Sequence, residues 1–415
     1  MITKMHYYSF FLALLSVSVS HAQKQPAEIG VSFQKIQLLD KYHSEGVSVG
    51  DMNADGILDI IAGSIIWEGP DFKEKFAYEP VKYYPIKGKG LTGYASVFFT
   101  FADELTNDKW TDIIQLSFQR KPAKLFINPG ENPSPADHDA ASCEHCIAQE
   151  NICNESPTYL NIIGDEREEL LSYSGNFITL AYPTDDPKAK WNVLELSHND
   201  KKFAKGHGLG AGDINGDGRM DVIDRFGWWE QPKDWDKASE WKFHEVNFTP
   251  EKPNQGGAQM FAYDVDGDGD NDVVTALNAH AYGFAWFEQA NEGGVISFTP
   301  HMIMNKKPSE NPYGVAFSQL HSMGAADIDG DGIKDIVTGK CFYAHGGKDP
   351  GAEEPAVLYW FRTTRDEKGN VEFVPYLIDS NSGVGRQIAT EDVNGDGKID
   401  IVTSNKKGVF VFLQK

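Results

Sequence analysis

Two histidines, His207 and His321, each stand six residues ahead of a loop crowded with aspartate, in "HGLGAGDINGDGRMD" and "HSMGAADIDGDGIKD". Two more, His280 in "LNAHAYG" and His345 in "FYAHGG", follow such loops. Several imidazoles with a carboxylate suit Zn²⁺ or a similar divalent metal and leave a coordination position open for substrate. A single histidine more often caps a strand or bonds a backbone carbonyl, so the chemistry depends on whether the fold gathers these four. Serine-type nucleophilic catalysis finds no support, because no G-x-S-x-G or comparable elbow is present.

The aspartate loops have their own chemistry. Hard divalent cations need several oxygen ligands from a short, sharply turned segment, and a glycine at position 6 permits the turn. Five loops meet that need with oxygen side chains at positions 1, 3, 5 and 9. They are Asp51, Asn53, Asp55 and Asp59; Asp213, Asn215, Asp217 and Asp221; Asp264, Asp266, Asp268 and Asp272; Asp327, Asp329, Asp331 and Asp335; and Asp392, Asn394, Asp396 and Asp400. An EF-hand requires glutamate at position 12 and a following helix. Here position 12 is Ala62, Asp224, Thr275, Thr338 or Thr403 in β-prone sequence, which excludes EF-hands. The alternative to calcium is a set of loops fixed by hydrogen bonds to their own amides.

Two eroded copies fill the gap between the first and second intact loops. "ELTNDKWTD" keeps Glu104, Thr106, Asp108 and Asp112, while "NIIGDEREE" keeps Asn161, Asp165 and Glu169. Loop starts then recur at intervals of roughly 50–65 residues, the signature of a repeat architecture. Each loop is followed by a β-branched run, an aromatic-rich segment such as "GWWEQP" or "VLYWF", and a further strand-like piece, so four short strands per unit are expected. That is the count of a propeller blade. Trp67, Trp228, Trp229, Trp286 and Trp360 recur at one point of several units and are expected to be packing residues.

After the seventh loop there is room for two strands only, 398–404 and 408–413, while "VSFQKIQLL" (31–39) stands alone before the first loop. The fold class expected is therefore all-β, a seven-bladed β-propeller with calcium-type DxDxDG loops, its ring closed by the N-terminal strand. The sixth residue before each loop start is Glu45, Phe98, Glu155, His207, Ala258, His321 and Arg386. In a propeller this position lies by the central channel, on the face opposite the loops. The strands returning to that face deliver His280 and His345.

Residues 1–22 read as a signal peptide: Lys4, an apolar run from Tyr7 to Val19, and then Ser20-His21-Ala22 before the cut. No later stretch approaches the roughly 20 apolar residues of a membrane helix, so residues 23–415 are expected to be one periplasmic or secreted propeller with no membrane insertion. A net charge of −23 argues against nucleic acid as a partner. Cys143, Cys146, Cys153 and Cys341 favour at least one disulfide in an oxidising compartment, with plain thiols or a zinc knot around His145 as alternatives.

The loops resemble those of the FG-GAP or VCBS repeat family of β-propellers, a match that covers essentially the whole mature chain. The resemblance implies that the oxygen residues of the five intact loops bind structural Ca²⁺, and it puts binding by the two eroded loops in doubt. The histidine-bearing stretches around His207, His321 and His345 are similar in style to the propeller portion of aldos-2-ulose dehydratases. That resemblance implies a zinc-dependent elimination from a keto-sugar, a small carbohydrate substrate.

The residues themselves then take these roles. His207, His280, His321 and His345 are candidate Zn²⁺ ligands. His207 and His321, as ligand or base, and Glu155, as the other base, are candidate catalytic residues, and Arg386 is the group to hold a substrate oxygen. The competing expectation is a non-enzymatic propeller, stabilised by calcium, that binds a glycan or a protein on the same face.

Overall fold

The computed structural model describes residues 23–88, 93–117, 120–130, 145–153, 155–186, 189–203, 206–235, 240–250 and 256–415. The expected signal peptide and Cys143 lie outside the described residues, as does the side chain of Cys146. The chain is all-β. No helix among the described residues is long and apolar enough to cross a membrane.

Among the described residues the strands form three sheets of four and two of eight. The eight-stranded sheets are each two four-stranded groups joined at one seam. In one, Leu209–Gly212 runs parallel to Gln259–Tyr263; in the other, Ser174 pairs with Ile152. Every group begins with a short strand entering an acidic loop: Ser48–Gly50, Val97–Asp103, Thr158–Leu160, Leu209–Gly212, Gln259–Tyr263, Met323–Ala326 and Ile388–Glu391. The strand leaving the loop starts at its ninth position, as in Asp59–Ala62 and Asp335–Gly339, and both of these are fully buried.

The ninth residue shows why the loop and strands form one unit. Asp221 accepts hydrogen bonds from the Ile214 N–H, 2.9 Å, inside the loop and from the Gln231 N–H, 2.9 Å, beyond the third strand. Asp59, Asp272, Asp335 and Asp400 repeat the pattern. One buried carboxylate thus ties loop, second strand and third strand together, satisfying amides that burial would otherwise leave unpaired. Of the eroded loops, the first keeps this tie through Asp112, whereas Glu169 in the second accepts only from the Ile162 and Ile163 N–H groups of its own loop.

Strand Phe33–Leu39 pairs antiparallel with Gly408–Gln414, so the two ends of the described chain share a four-stranded sheet. A core cluster continues from that sheet into the first, uniting Val393, Val402 and Val411 with Val47, Ile60 and Trp67. Trp67, Trp228, Trp229, Trp286 and Trp360 are all buried, and burying such large side chains is a main source of sheet-to-sheet adhesion.

Of the four cysteines, the two whose side chains are described are not bridged. Cys153 and Cys341 are both buried free thiols. Cys153 Sγ donates to the Tyr173 carbonyl at 3.4 Å, and Cys341 Sγ lies 2.8 Å from Arg386 Nη1, so each thiol is engaged elsewhere.

Candidate functional site

His207, His280, His321 and His345 meet at the ends of the strands opposite the acidic loops. Ring centroids of His207 lie 4.9 Å from those of both His280 and His321, and His280 lies 5.1 Å from His321 and 4.3 Å from His345. His207, His280 and His321 each offer a nitrogen within 4.8 Å of the other two, and nitrogens of His280 and His345 with a carboxylate oxygen of Asp349 form a second such group.

Local structure aims each ring. His207 precedes strand Leu209–Gly212, and its carbonyl accepts from Arg225 Nη1 at 2.6 Å, while Arg225 also donates to Tyr173 OH at 2.8 Å. His280 sits in the turn after strand Asp272–Ala276, its N–H bonded to Asn278 Oδ1. His321 follows Gln319, a residue with left-handed backbone (φ 65°) whose carbonyl accepts from the N–H groups of His321 and Cys341. His345 is itself left-handed (φ 47°) and donates its N–H to Tyr94 OH at 2.8 Å. A non-glycine residue held there costs energy and persists where its surroundings fix it.

Burial sets the protonation states. It pushes His207 down to about 4, with Arg386 adding to the depression and Glu155 opposing it. Burial pushes His280 down to about 3 and His321 well below the usual imidazole range. At neutral pH these three rings are uncharged, the form that ligates metals. Burial alone would raise Glu155, but His207 and Arg386 outweigh it and hold the carboxyl at about 2. Because His207 is neutral at pH 7, Arg386 is the partner that counts there: its Nε lies 2.9 Å from Glu155 Oε2.

His321 carries the sharpest signal. It is fully buried, and neither ring nitrogen has a hydrogen-bond partner among the described residues; His207 Nδ1 also lacks one. Buried imidazole nitrogens without partners are expensive unless they bind something. His345 differs: its Nδ1 is 2.8 Å from Asp349 Oδ2. That bond fixes the hydrogen on Nδ1 and leaves Nε2 as an acceptor.

Glu155 and Arg386 stand where the sequence expectation put them, beside the histidines, with Glu155 Oε2 3.9 Å from His207 Nε2. Asp349, Tyr94, Lys406 and Cys341 join the site without having been expected in it. Asp349 carried a usable signal, four residues past His345 in a glycine-rich turn. Tyr94 and Lys406 carried none, since only the fold brings Lys406 Nζ to 4.3 Å from the Tyr94 ring.

On the opposite face, the loops beginning at Asp264 and Asp327 each bring three carboxylates together: Asp264, Asp266 and Asp272, and Asp327, Asp329 and Asp335. Loop amides also point at these oxygens. Asp213 accepts from the N–H groups of Asp217 and Gly218, and Asp51 and Asp392 do likewise. In the sixth unit Arg362 bridges Asp329 and Asp331, at 2.5 Å and 3.0 Å.

The protein is all-β, and its residues 264–338 match the model of the FG-GAP-like repeat. Comparison with curated proteins gives no match. Among solved structures the chain is similar to a lectin of Agrocybe aegerita that recognises non-reducing terminal N-acetylglucosamine, at 15% identity over 91% of this chain and 86% of that one, with a TM-score of 0.44. It is also similar to a rhamnogalacturonan lyase of Bacillus licheniformis (12% identity, 92% and 75% of the chains, TM-score 0.40) and to AofleA from Arthrobotrys oligospora (9% identity, 79% and 95%, TM-score 0.40). No function passes from these proteins to this chain.

Proposed function

We propose that the protein is an exported, seven-bladed propeller, braced by Ca²⁺ in its intact loops and closed by its N-terminal strand, that uses a Zn²⁺-type site to eliminate water or an alcohol from a keto-sugar. The observation that carries this reading is the convergence of His207, His280 and His321, with both nitrogens of buried His321 unpartnered among the described residues. Three neutral imidazoles are a ligand set for a catalytic divalent metal with an open position.

A metal bound there supplies Lewis acidity to a ketone oxygen, which acidifies the neighbouring C–H. His345 accepts that proton at Nε2, since Asp349 holds its other nitrogen as a donor. The C–O bond at the next carbon then breaks, and the same proton returns to the departing oxygen as water or alcohol. This assignment moves His345 from ligand to base. It moves Glu155 from base to counter-charge, because a carboxyl held low by His207 and Arg386 is a weak proton acceptor. Arg386 keeps its expected part, a donor to a substrate oxygen.

The test is incubation of the metal-loaded protein with 2-keto and 3-keto sugars, following the ultraviolet absorbance of the conjugated enone that elimination creates. Activity that falls by about 10²-fold or more in His345→Ala, with metal retained, supports the reading. Tight binding of these sugars without elimination would leave a glycan-binding propeller instead.

A further inference from the structure

Behind the histidines lies a second pair of groups that neither metal binding nor proton transfer uses. Glu45 and Arg386, from the first and last sheets, are both fully buried. The Arg386 N–H donates to the Glu45 carbonyl at 2.5 Å, and Gly385 packs so closely on that carbonyl that a Cβ would meet it at 1.9 Å, so the backbones hold each other in place. Glu45 Oε1 accepts from Tyr42 OH and lies 4.0 Å from Lys406 Nζ. Arg386 spends Nε on Glu155 and Nη1 on Cys341 Sγ.

One atom of each remains. Glu45 Oε2 has no hydrogen-bond partner among the described residues, and neither has Arg386 Nη2. Oε2 is only 3.9 Å from Nη1 of the same guanidinium. A buried carboxylate oxygen without a donor, beside a buried guanidinium that keeps one nitrogen without an acceptor, is costly twice over. Their chemistry selects what satisfies both. A carboxylate would satisfy Arg386 but meet repulsion from Glu45, and an ammonium group the reverse. A hydroxyl donates to Oε2 while accepting from Nη2, and does so without net charge.

We infer that Glu45 and Arg386 together hold a hydroxyl group of the substrate beside the histidines, with Glu45 as its acceptor, so that the site takes neutral hydroxylated carbonyl compounds in preference to oxo acids. Glu45 is thereby a specificity-determining residue of the proposed site. The inference rests on the proposed function for the nearby carbonyl position, but the pair has its own readout. A site that must hydrogen-bond a substrate hydroxyl discriminates strongly against analogues lacking it, because its buried polar groups are then left unpaired.

The experiment uses the full mature chain, zinc-loaded, as wild type, Glu45→Gln and Arg386→Lys, with circular dichroism to establish folding and metal analysis on every sample. Ligand-observed NMR titrations compare dihydroxyacetone with pyruvate, two carbonyl probes of similar size. Wild type is expected to bind dihydroxyacetone more tightly than pyruvate. Glu45→Gln is expected to weaken dihydroxyacetone by about tenfold or more and to tighten pyruvate as the repulsion disappears. Arg386→Lys, which keeps the charge but loses the fork, is expected to weaken dihydroxyacetone as well, and it carries the test alone if Glu45→Gln does not fold. Preference of wild type for pyruvate, or dihydroxyacetone binding unchanged in the folded variants, would overturn the inference and leave these atoms to water. Dihydroxyacetone binding that depends on Glu45 in a protein holding no zinc would sink the metal reading while the hydroxyl pair stands.

Discussion

His207 and His280, 73 residues apart in the chain, bring their Nε2 atoms to 2.8 Å. Two nitrogens ligating one tetrahedral zinc ion at about 2.0–2.1 Å stand about 3.3 Å apart, so a shift of about half an ångström would let both rings ligate the ion proposed above. The two rings come from turns of adjacent four-stranded groups, fixed by strands Leu209–Gly212 and Gln259–Tyr263, which pair in parallel. The acidic loops at the far ends of those strands set the strand register, which is how features that never touch the histidines determine their spacing.

If the five intact loops hold calcium, chelation should lower the melting temperature, and excess Ca²⁺ should restore it. Occupancy at about 100 times the dissociation constant contributes about 2.7 kcal/mol per independent site. Asp217→Ala, in an intact loop, should reduce calcium stoichiometry by one, whereas Asp108→Ala, in an eroded loop, should leave it unchanged. Calcium counting by atomic absorption on the three proteins decides this, and equal counts throughout would leave the loops to their amide hydrogen bonds.

Strand Phe33–Leu39 covers the edge of Gly408–Gln414 and contributes Leu39 to the core that joins the last sheet to the first. Deleting residues 31–39 should cost several kcal/mol, as expected for loss of a packed strand, and should promote self-association through the bared edge. Urea denaturation and light scattering on the deletion measure both; an unchanged midpoint would show that the ends of the chain are not coupled.

Asp224 supplies a pH prediction. It is fully buried and accepts from Tyr173 OH at 2.8 Å. Burial raises its carboxyl to about 6 from the usual 3.8, with Arg225 opposing the shift. The folded state therefore holds this proton more tightly than the unfolded state, so ionised Asp224 opposes folding above about pH 6. The penalty is relieved as pH falls from about 6 toward 4. Asp224→Asn should flatten that part of the stability profile relative to wild type by at most about 3 kcal/mol. Denaturant midpoints from pH 4 to 7.5 give the comparison, and parallel profiles would contradict it.

The all-β fold and the burial of the repeated tryptophans were legible in the sequence because they repeat: one loop motif at regular intervals fixes the strands around it. The gathering of His207, His280, His321 and His345 was legible by the opposite logic, as departures from the repeat at equivalent positions. Division of labour among them was not legible. Asp349 sets the tautomer of His345 through a turn with left-handed residues at Tyr343 and His345, and nothing in the spacing announces that turn. Cys341 was read for disulfide chemistry because sequence gives no sign that Arg386, from the last sheet, lies against it.

The proposed chemistry depends on a transition metal held by His207, His280 and His321. Metal analysis of the protein after mild chelation with a calcium-selective chelator tests it directly, alongside His207→Ala and His321→Ala. The predicted result is about one zinc or similar ion per wild-type chain, lost in both variants while circular dichroism shows the β fold intact. Calcium alone in the wild type, or zinc retained in both variants, would contradict it.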